Sequence, residues 1–166
     1  MRTSSFILGR SLVLGILLLL LYIPAWADTP FERSTLRGIK AIKVVVEKID
    51  ADAERDGLVG SQLQSDIELR LRQAGIPVDN HAPEFLYIVV NTIKDDLNLY
   101  GFSIRVEFRR PVHLGRDLSI TTLGVTWSVT PLVGIVSSSD LRTLRDDVRD
   151  MVDEFIKAYP EKNPRQ

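Results

Sequence analysis

The sequence of 166 residues contains no cysteine and no excess of either charge. The lack of cysteine excludes disulfides, thiolate metal sites, cysteine nucleophiles and a lipidated N-terminal cysteine. The formal net charge of −1 provides no overall basic field for nucleic acid, so we expect no nucleic-acid partner. Hydrophobic residues make up 45% of the chain, which excludes a disordered or fibrous protein. The length fits one domain or two small ones.

Motifs of the common catalytic sites are also missing. The sequence has no Gly-x-Ser-x-Gly nucleophile elbow and no glycine pattern that cradles phosphate groups. His81 and His113 are the only histidines, and they lack the spacing of metal ligands. Acidic residues are plentiful, but none stand out as a pair. We therefore expect no enzyme, with a hydrolase-type enzyme that uses an unrecognised carboxylate site as the alternative.

The first 27 residues have the three parts of a secretory signal peptide. Arg2 and Arg10 make the start basic, and residues 12–23 form an apolar run. The Ala-Trp-Ala sequence at residues 25–27 fits a small-x-small cleavage site. The run is shorter than the roughly 20 residues of a spanning helix. We predict cleavage after Ala27, a periplasmic or secreted location and no transmembrane segment in the remaining chain, with an uncleaved anchor as the alternative.

Hydrophobic periodicity predicts the secondary structure of the remaining chain. Apolar residues concentrated on alternate positions or in short runs predict strands within residues 40–49, 85–94, 102–108 and 122–129. Spacings of three and four predict helices over residues 61–74 and 141–159. Ser61 and Gln64 fit a capping box for the first helix, and Gly75 fits its left-handed cap. For the second helix, residues 137–139 supply an N-cap serine and Pro160 marks the end.

The element order is β-α-β-β-β-α, with residues 50–60 and 130–136 as loops. A right-handed crossover makes the first two strands parallel, and short turns make the last three an antiparallel meander. The apolar stripes of both helices require one sheet face to cover them. We therefore predict an α+β two-layer sandwich, in which a four-stranded mixed sheet carries two helices on one face. The predicted single domain spans residues 39–160, between a polar lead (28–38) and a polar tail (161–166).

One acidic segment has the spacing of calcium ligands. Asp52, Glu54 and Asp56 alternate ahead of Gly57, as the oxygen ligands of a calcium loop do. Position twelve of such a loop, where a bidentate glutamate belongs, is Leu63 here. We predict no cofactor and interpret the segment as a solvated acidic loop, with a Ca²⁺ site as the alternative.

The predicted sheet has a second face without a helix. That face carries Val45 and Arg105, together with either Tyr87 and Val89 or Leu86 and Ile88. Large apolar residues beside arginines are typical of a contact surface. We predict an interaction surface formed by Val45, Tyr87, Val89, Arg105 and Arg109, and the alternative is partial cover by the polar lead. The arginines could also meet phosphate groups, but a solvated face is the preferred interpretation.

The export signal and the element order resemble those of small envelope domains. The resemblance includes the helix end Arg-Leu-Arg-Gln-Ala-Gly-Ile at residues 70–76 and the short strand Phe-Leu-Tyr-Ile at residues 85–88. The chain resembles the lipopolysaccharide-assembly lipoproteins of the outer membrane and the N-terminal domain of the Tol-system propeller protein. It departs from the lipoproteins because it lacks their lipid-attachment cysteine. The resemblance implies a non-enzymatic role in envelope assembly with an envelope protein as partner.

These observations favour an exported binding or assembly module that acts through an open sheet face or a strand edge. The alternatives are the hydrolase-type enzyme and a calcium- or lipid-headgroup-binding accessory protein.

Overall fold

The computed structural model describes residues 29–163, so the predicted signal peptide and its cleavage site lie outside the described residues. The helices are α1 (Pro30–Ser34), α2 (Ala51–Arg55), α3 (Gly60–Gln73) and α4 (Leu144–Lys162). The strands are β1 (Lys43–Val46), β2 (Phe85–Lys94), β3 (Leu99–Leu114), β4 (Asp117–Ser128) and β5 (Leu132–Ser137). A short 3-10 helix, Leu141–Thr143, precedes α4. None of the helices within residues 29–163 combines the length and apolar character that crossing a bilayer requires.

The strands form one mixed sheet, which confirms the α+β class. Its order is β1-β2-β3-β4, and β5 also pairs with β3. The β1–β2 pair is parallel, and the other pairs are antiparallel. The long strand β3 pairs with β2 along one edge. Along its other edge, the second half of β3 pairs with β4 and the first half pairs with β5.

The fifth strand corrects the prediction of a loop over residues 130–136. Pro131 has no N–H to donate, so it separates β4 from β5 without preventing the following residues from pairing with β3. Gly134 lies against the ring of Phe102, where an added Cβ would come within 2.9 Å of Cζ. The prediction treated this proline and glycine as loop signals, but here they mark a strand break and a close approach.

Two short helices lie in segments that the sequence analysis treated as polar connections. Thr29 and Glu32 form a capping box at the start of α1, within the predicted lead. The Asp50 side chain accepts a hydrogen bond from the backbone N–H of Asp52 and caps α2, within the predicted loop 50–60. In both segments, an N-terminal cap satisfies backbone donors that would otherwise need water.

The predicted N-terminal caps of the long helices are wrong. Val59 is the N-cap of α3 and Thr143 that of α4, and neither forms a side-chain capping bond. Ser137 instead donates to Asp140, ahead of the 3-10 turn that leads into α4. Pro160 does not end α4, which continues to Lys162. Pro160 has no N–H for the carbonyl four residues earlier, but the backbone bonding continues past it, since the Asn163 N–H donates to the Tyr159 carbonyl (3.1 Å).

The core lies between one face of the sheet and the helices α3 and α4. Fully buried side chains from both helices join those of four strands in one cluster: Leu63, Ile67, Leu71, Val148, Val152, Phe155, Val44, Ile88, Ile104, Phe108 and Trp127. Phe155 is the centre of an aromatic group. Its ring centroid lies 5.2 Å from that of Trp127, 5.5 Å from that of Phe108 and 6.1 Å from that of Tyr159. These rings hold α4 against β3 and β4.

An ion pair between Arg70 and Asp153 joins the exposed sides of α3 and α4. The hydrogen bond from the Arg70 guanidinium holds the pKa of Asp153 below its usual range. A carboxyl with a lowered folded pKa stabilises the protein above its unfolded pKa of about 3.9, and that contribution is lost as the pH falls through the folded pKa. We predict that Asp153→Asn makes the loss of stability below about pH 4 less steep.

Urea midpoints measured across acidic pH test this prediction. Asp96→Asn, at an exposed acid in the β2–β3 turn, is the matched control and should follow the wild-type profile. If the urea midpoint fell equally steeply with decreasing pH in wild type and Asp153→Asn, the role assigned to the Arg70–Asp153 ion pair would be contradicted.

Candidate interaction surface

The structure places the five predicted surface residues on the sheet face opposite α3 and α4, called the open face below. Val45 pairs with Tyr87, and Val89 pairs with Arg105. Leu86 and Ile88 belong to the core, so the alternation of β2 leaves Tyr87 and Val89 on the open face. Arg109 lies on the same face, two positions from Glu107 on β3.

Charged and aromatic side chains form a connected layer over the centre of the open face. The Arg109 guanidinium lies 3.9 Å from the centroid of the Tyr87 ring and donates to Glu107, with Nη2 2.6 Å from Oε2. Glu107 also lies 3.5 Å from Arg105, and only 13% of its side chain is exposed. The Tyr87 hydroxyl donates to Glu47 (2.9 Å), a bond that raises the pKa of Tyr87.

This layer changes the interpretation of the face, because Val89 in its middle is only 1% exposed. The Val89 side chain is therefore not available to a partner unless the layer moves. Arg105 and Arg109 are occupied by Glu107, which favours a solvated face over a phosphate site at this place.

The lead does not cover the open face within residues 29–38. Leu36 is fully buried in the core, and α1 packs against α4 and β4. The Thr35 hydroxyl donates to the Thr126 carbonyl (2.9 Å), and Arg110 donates to the Thr35 carbonyl. The lead therefore lies along the helix side of the sheet.

A group of largely exposed apolar side chains lies at the end of the open face nearest β5. Ile93, Val133 and Ile135 form a group called the β5 patch below, with exposed fractions of 79%, 70% and 75%. Ile93 and Ile135 pair with the same residue of β3, Gly101, which has no side chain to separate them. Val133 lies two residues from Ile135 on β5 and therefore on the same face. The patch places three large apolar side chains together in solvent.

The β5 patch was missed by sequence reasoning. A signal was present, since Leu132–Ser137 is a short apolar run rich in β-branched residues, which is typical of a strand. The flanking Pro131 and the internal Gly134 outweighed that signal in a pattern-based prediction. Ile93 of β2 and the exposed residues of β5 lie near each other only because β2 and β5 both pair with β3. No local sequence pattern reveals that pairing.

The three acidic residues that have the spacing of calcium ligands, Asp52, Glu54 and Asp56, do not point toward a common centre. Asp52 and Glu54 lie on α2, where two residues correspond to about 200° of rotation. Glu54 is directed toward Gly60, whereas Asp56 Oδ2 accepts from Lys94 Nζ and from the Tyr100 hydroxyl, both at 2.7 Å. These bonds, chiefly that from Lys94, lower the pKa of Asp56. Within residues 29–163 no three potential metal ligands are grouped.

The two histidines are engaged with near neighbours. His81 Nδ1 lies 3.3 Å from Asp79 and borders a shallow cavity of about 410 Å³ that is also lined by Lys40 and Glu84. His113 Nδ1 lies 3.3 Å from the Thr121 hydroxyl, in the hairpin of β3 and β4. The structure does not bring the two rings to a shared acid.

No family model matches the chain, and no curated protein matches it.

A second surface feature adjoins the start of β5. A groove of about 420 Å³ separates α4 from residues 129–132. Its apolar lining includes Val129, Leu132 and Met151, and its α4 side carries three carboxyl groups: Asp147, Asp150 and Glu154. Burial, and then the neighbouring Asp150, raise the pKa of Asp147. The groove therefore combines an apolar lining with carboxyl groups along its α4 side.

Proposed function

We propose that the protein is an exported, periplasmic binding module that assists assembly in the cell envelope, and that it is not an enzyme. It binds an envelope protein through the edge of β5 and the adjoining part of the open face. Two-layer packing, with α3 and α4 on one face of the sheet, supports this proposal because it leaves the opposite face to solvent. The basic start, apolar run and Ala-Trp-Ala sequence of residues 1–27 support export.

The observation that carries the proposal is the exposure of the β5 patch. Isolated exposed apolar residues are common, but Ile93, Val133 and Ile135 lie on one face around Gly101 and each is at least 70% exposed. A partner that covers them would gain about 25 cal/mol for each Å² of apolar surface removed from water. A strand edge beside such a patch provides backbone hydrogen bonds as well.

Site-specific photocrosslinking in the native host tests the function. A photoreactive amino acid is placed at Ile135, and at Leu69 as the control. Leu69 is 56% exposed on α3, so it is also apolar and accessible but lies on the helix side. We expect the Ile135 probe to capture one envelope protein repeatedly and the Leu69 probe not to capture it. Equal capture at both positions, or no repeated partner at Ile135, would refute the proposal.

A further inference from the structure

We propose that the partner contributes an extended segment that pairs with β5 as an antiparallel strand, in which a short apolar stretch is followed by lysine or arginine. This inference rests on the proposed function and names the chemistry of the partner. It depends on three features of the described residues: free backbone groups on β5, an uncharged edge and the acidic groove beside its start.

The hydrogen-bond pattern shows which backbone groups of β5 are free. The Ser138 N–H donates to the Asn98 carbonyl (3.0 Å), and Leu99 pairs with Ser137 in an antiparallel register. Backbone groups of an antiparallel strand point alternately to its two sides, so Val136 is bonded to β3. The N–H and C=O groups of Val133 and Ile135 then point away from β3, as does the N–H of Ser137, whose C=O accepts from the Asp140 N–H (3.1 Å). No strand within residues 29–163 pairs with that side of β5.

The edge of β5 has none of the features that prevent strand addition. Natural edge strands are blunted by charged residues, prolines, bulges or a covering element. Between Leu132 and Ser137 there is no charged residue and no proline, and β5 pairs with β3 without a register shift. Val133 and Ile135 are largely exposed, so no described segment covers the strand. An added strand with apolar side chains on the open face would extend the β5 patch.

The groove at the start of β5 selects the charge of the partner. Among the described residues, neither Asp147 nor Asp150 has a cationic nitrogen within 4 Å, whereas Glu154 pairs with Lys157 (2.7 Å). An antiparallel partner runs from Ser137 toward Leu132, so its C-terminal end reaches the groove. Lysine or arginine at that end would neutralise the two carboxylates, while its methylene groups cover Met151 and Leu132.

The same geometry argues against a second copy of this chain. In a two-fold antiparallel pairing of β5 with itself, the residues that follow Ser137 would approach the groove. Those residues are Ser138, Ser139 and Asp140, so a second copy would bring a further carboxylate to an acidic wall. Like charges placed together are unfavourable, and a different chain with a basic end is the better match.

Hydrogen exchange of the purified protein with a defined peptide tests the inference. The probe is a short peptide of alternating valine and threonine that ends in three lysines, and the matched control peptide ends in three glutamates. We expect the lysine peptide to slow exchange at the outward amides of Val133, Ile135 and Ser137. The amides of Gly134 and Val136 should change little, because β3 already protects them.

Two variants separate the backbone contribution from the charge contribution. Ile135→Pro removes an outward N–H that β3 does not use, so it should abolish peptide binding, and a thermal melt reports whether it folds. The double variant Asp147→Asn with Asp150→Asn should weaken binding about tenfold at low salt, and less at high salt. Asp96→Asn is the matched control and should bind as the wild type does.

The outcomes distinguish this inference from the proposed function. Three results would overturn the inference: equal protection of the β5 amides by both peptides, no protection by either peptide, or protection without peptide at high protein concentration. The last result would indicate that a second copy of the chain pairs with β5. If the lysine peptide does not protect the β5 amides but crosslinking at Ile135 still captures one partner, only the inference is wrong. If the lysine peptide protects β5 but no repeated partner is captured, the proposed function is wrong.

Discussion

Phe155→Ala is expected to lower the free energy of unfolding by about 3–5 kcal/mol. Phe155 is fully buried, and its ring packs against Trp127, Phe108 and Tyr159. Truncation removes the contacts that hold α4 on the sheet and leaves a cavity that the surrounding rings only partly fill. Chemical denaturation followed by the fluorescence of Trp127 measures the effect, because this indole is the nearest ring to the deletion.

Phe31→Ala is the matched control for the same chemical change. Phe31 is 79% exposed on α1, so its truncation should change stability by no more than about 0.5 kcal/mol. If the two variants lost similar stability, the packing of α4 against β3 and β4 would need revision.

Leu36→Ala is the second substitution with a large expected effect, about 2–5 kcal/mol. Leu36 lies in the segment that composition marks as a polar lead, yet its side chain is fully buried in the main core. The end of α4 holds this segment in place: the Asn163 side chain donates to the Leu36 carbonyl (2.7 Å) and accepts from the Gly38 N–H (2.9 Å). The denaturant midpoint should fall with an unchanged slope if unfolding stays two-state.

Leu97→Ala provides the comparison for Leu36. Leu97 is 77% exposed in the turn between β2 and β3, and its truncation should be nearly neutral. A small effect at Leu36 would show that the lead contributes little to the core and that a domain starting at residue 39 could fold without it.

Local patterns predicted much of the main architecture. The apolar stripe of α3 was predicted because residues three and four apart share a helix face, and Leu63, Ile67 and Leu71 are indeed fully buried. Gly75 has the predicted left-handed conformation, with φ of 80°. The parallel β1–β2 pair follows from a crossover rule that needs only the order of elements.

Local patterns were less reliable where two signals competed. Ser61 matches a capping box, but α3 starts one residue earlier, at Gly60, so Val59 occupies the cap position. The Asp52, Glu54 and Asp56 spacing matches calcium ligands in a loop, but the same residues form the helical turn α2, which directs them apart. In both cases the motif was present and the backbone conformation it requires was not.

The candidate surface was only partly predictable. Alternation in β3 predicted a face with Arg105 and Arg109, since period two fixes which residues share a side. The same alternation places Glu107 between the two arginines, but it did not show that Glu107 would pair with both of them with little exposure, or that Val89 would be covered. Those results depend on the way in which the long side chains of adjacent strands pack over one another.

The sequence alone determined the absence of disulfides, the α+β class and the stripes that α3 and α4 turn to the core, because composition and periodicity are properties of the chain itself. Only the tertiary structure decided that Leu36 is buried, that β5 continues the sheet edge and that Ile93 and Ile135 lie on either side of Gly101. These contacts join residues distant in sequence, and their formation depends on the register and length of β3. The β5 patch and the acidic groove therefore became visible only once the strands were paired.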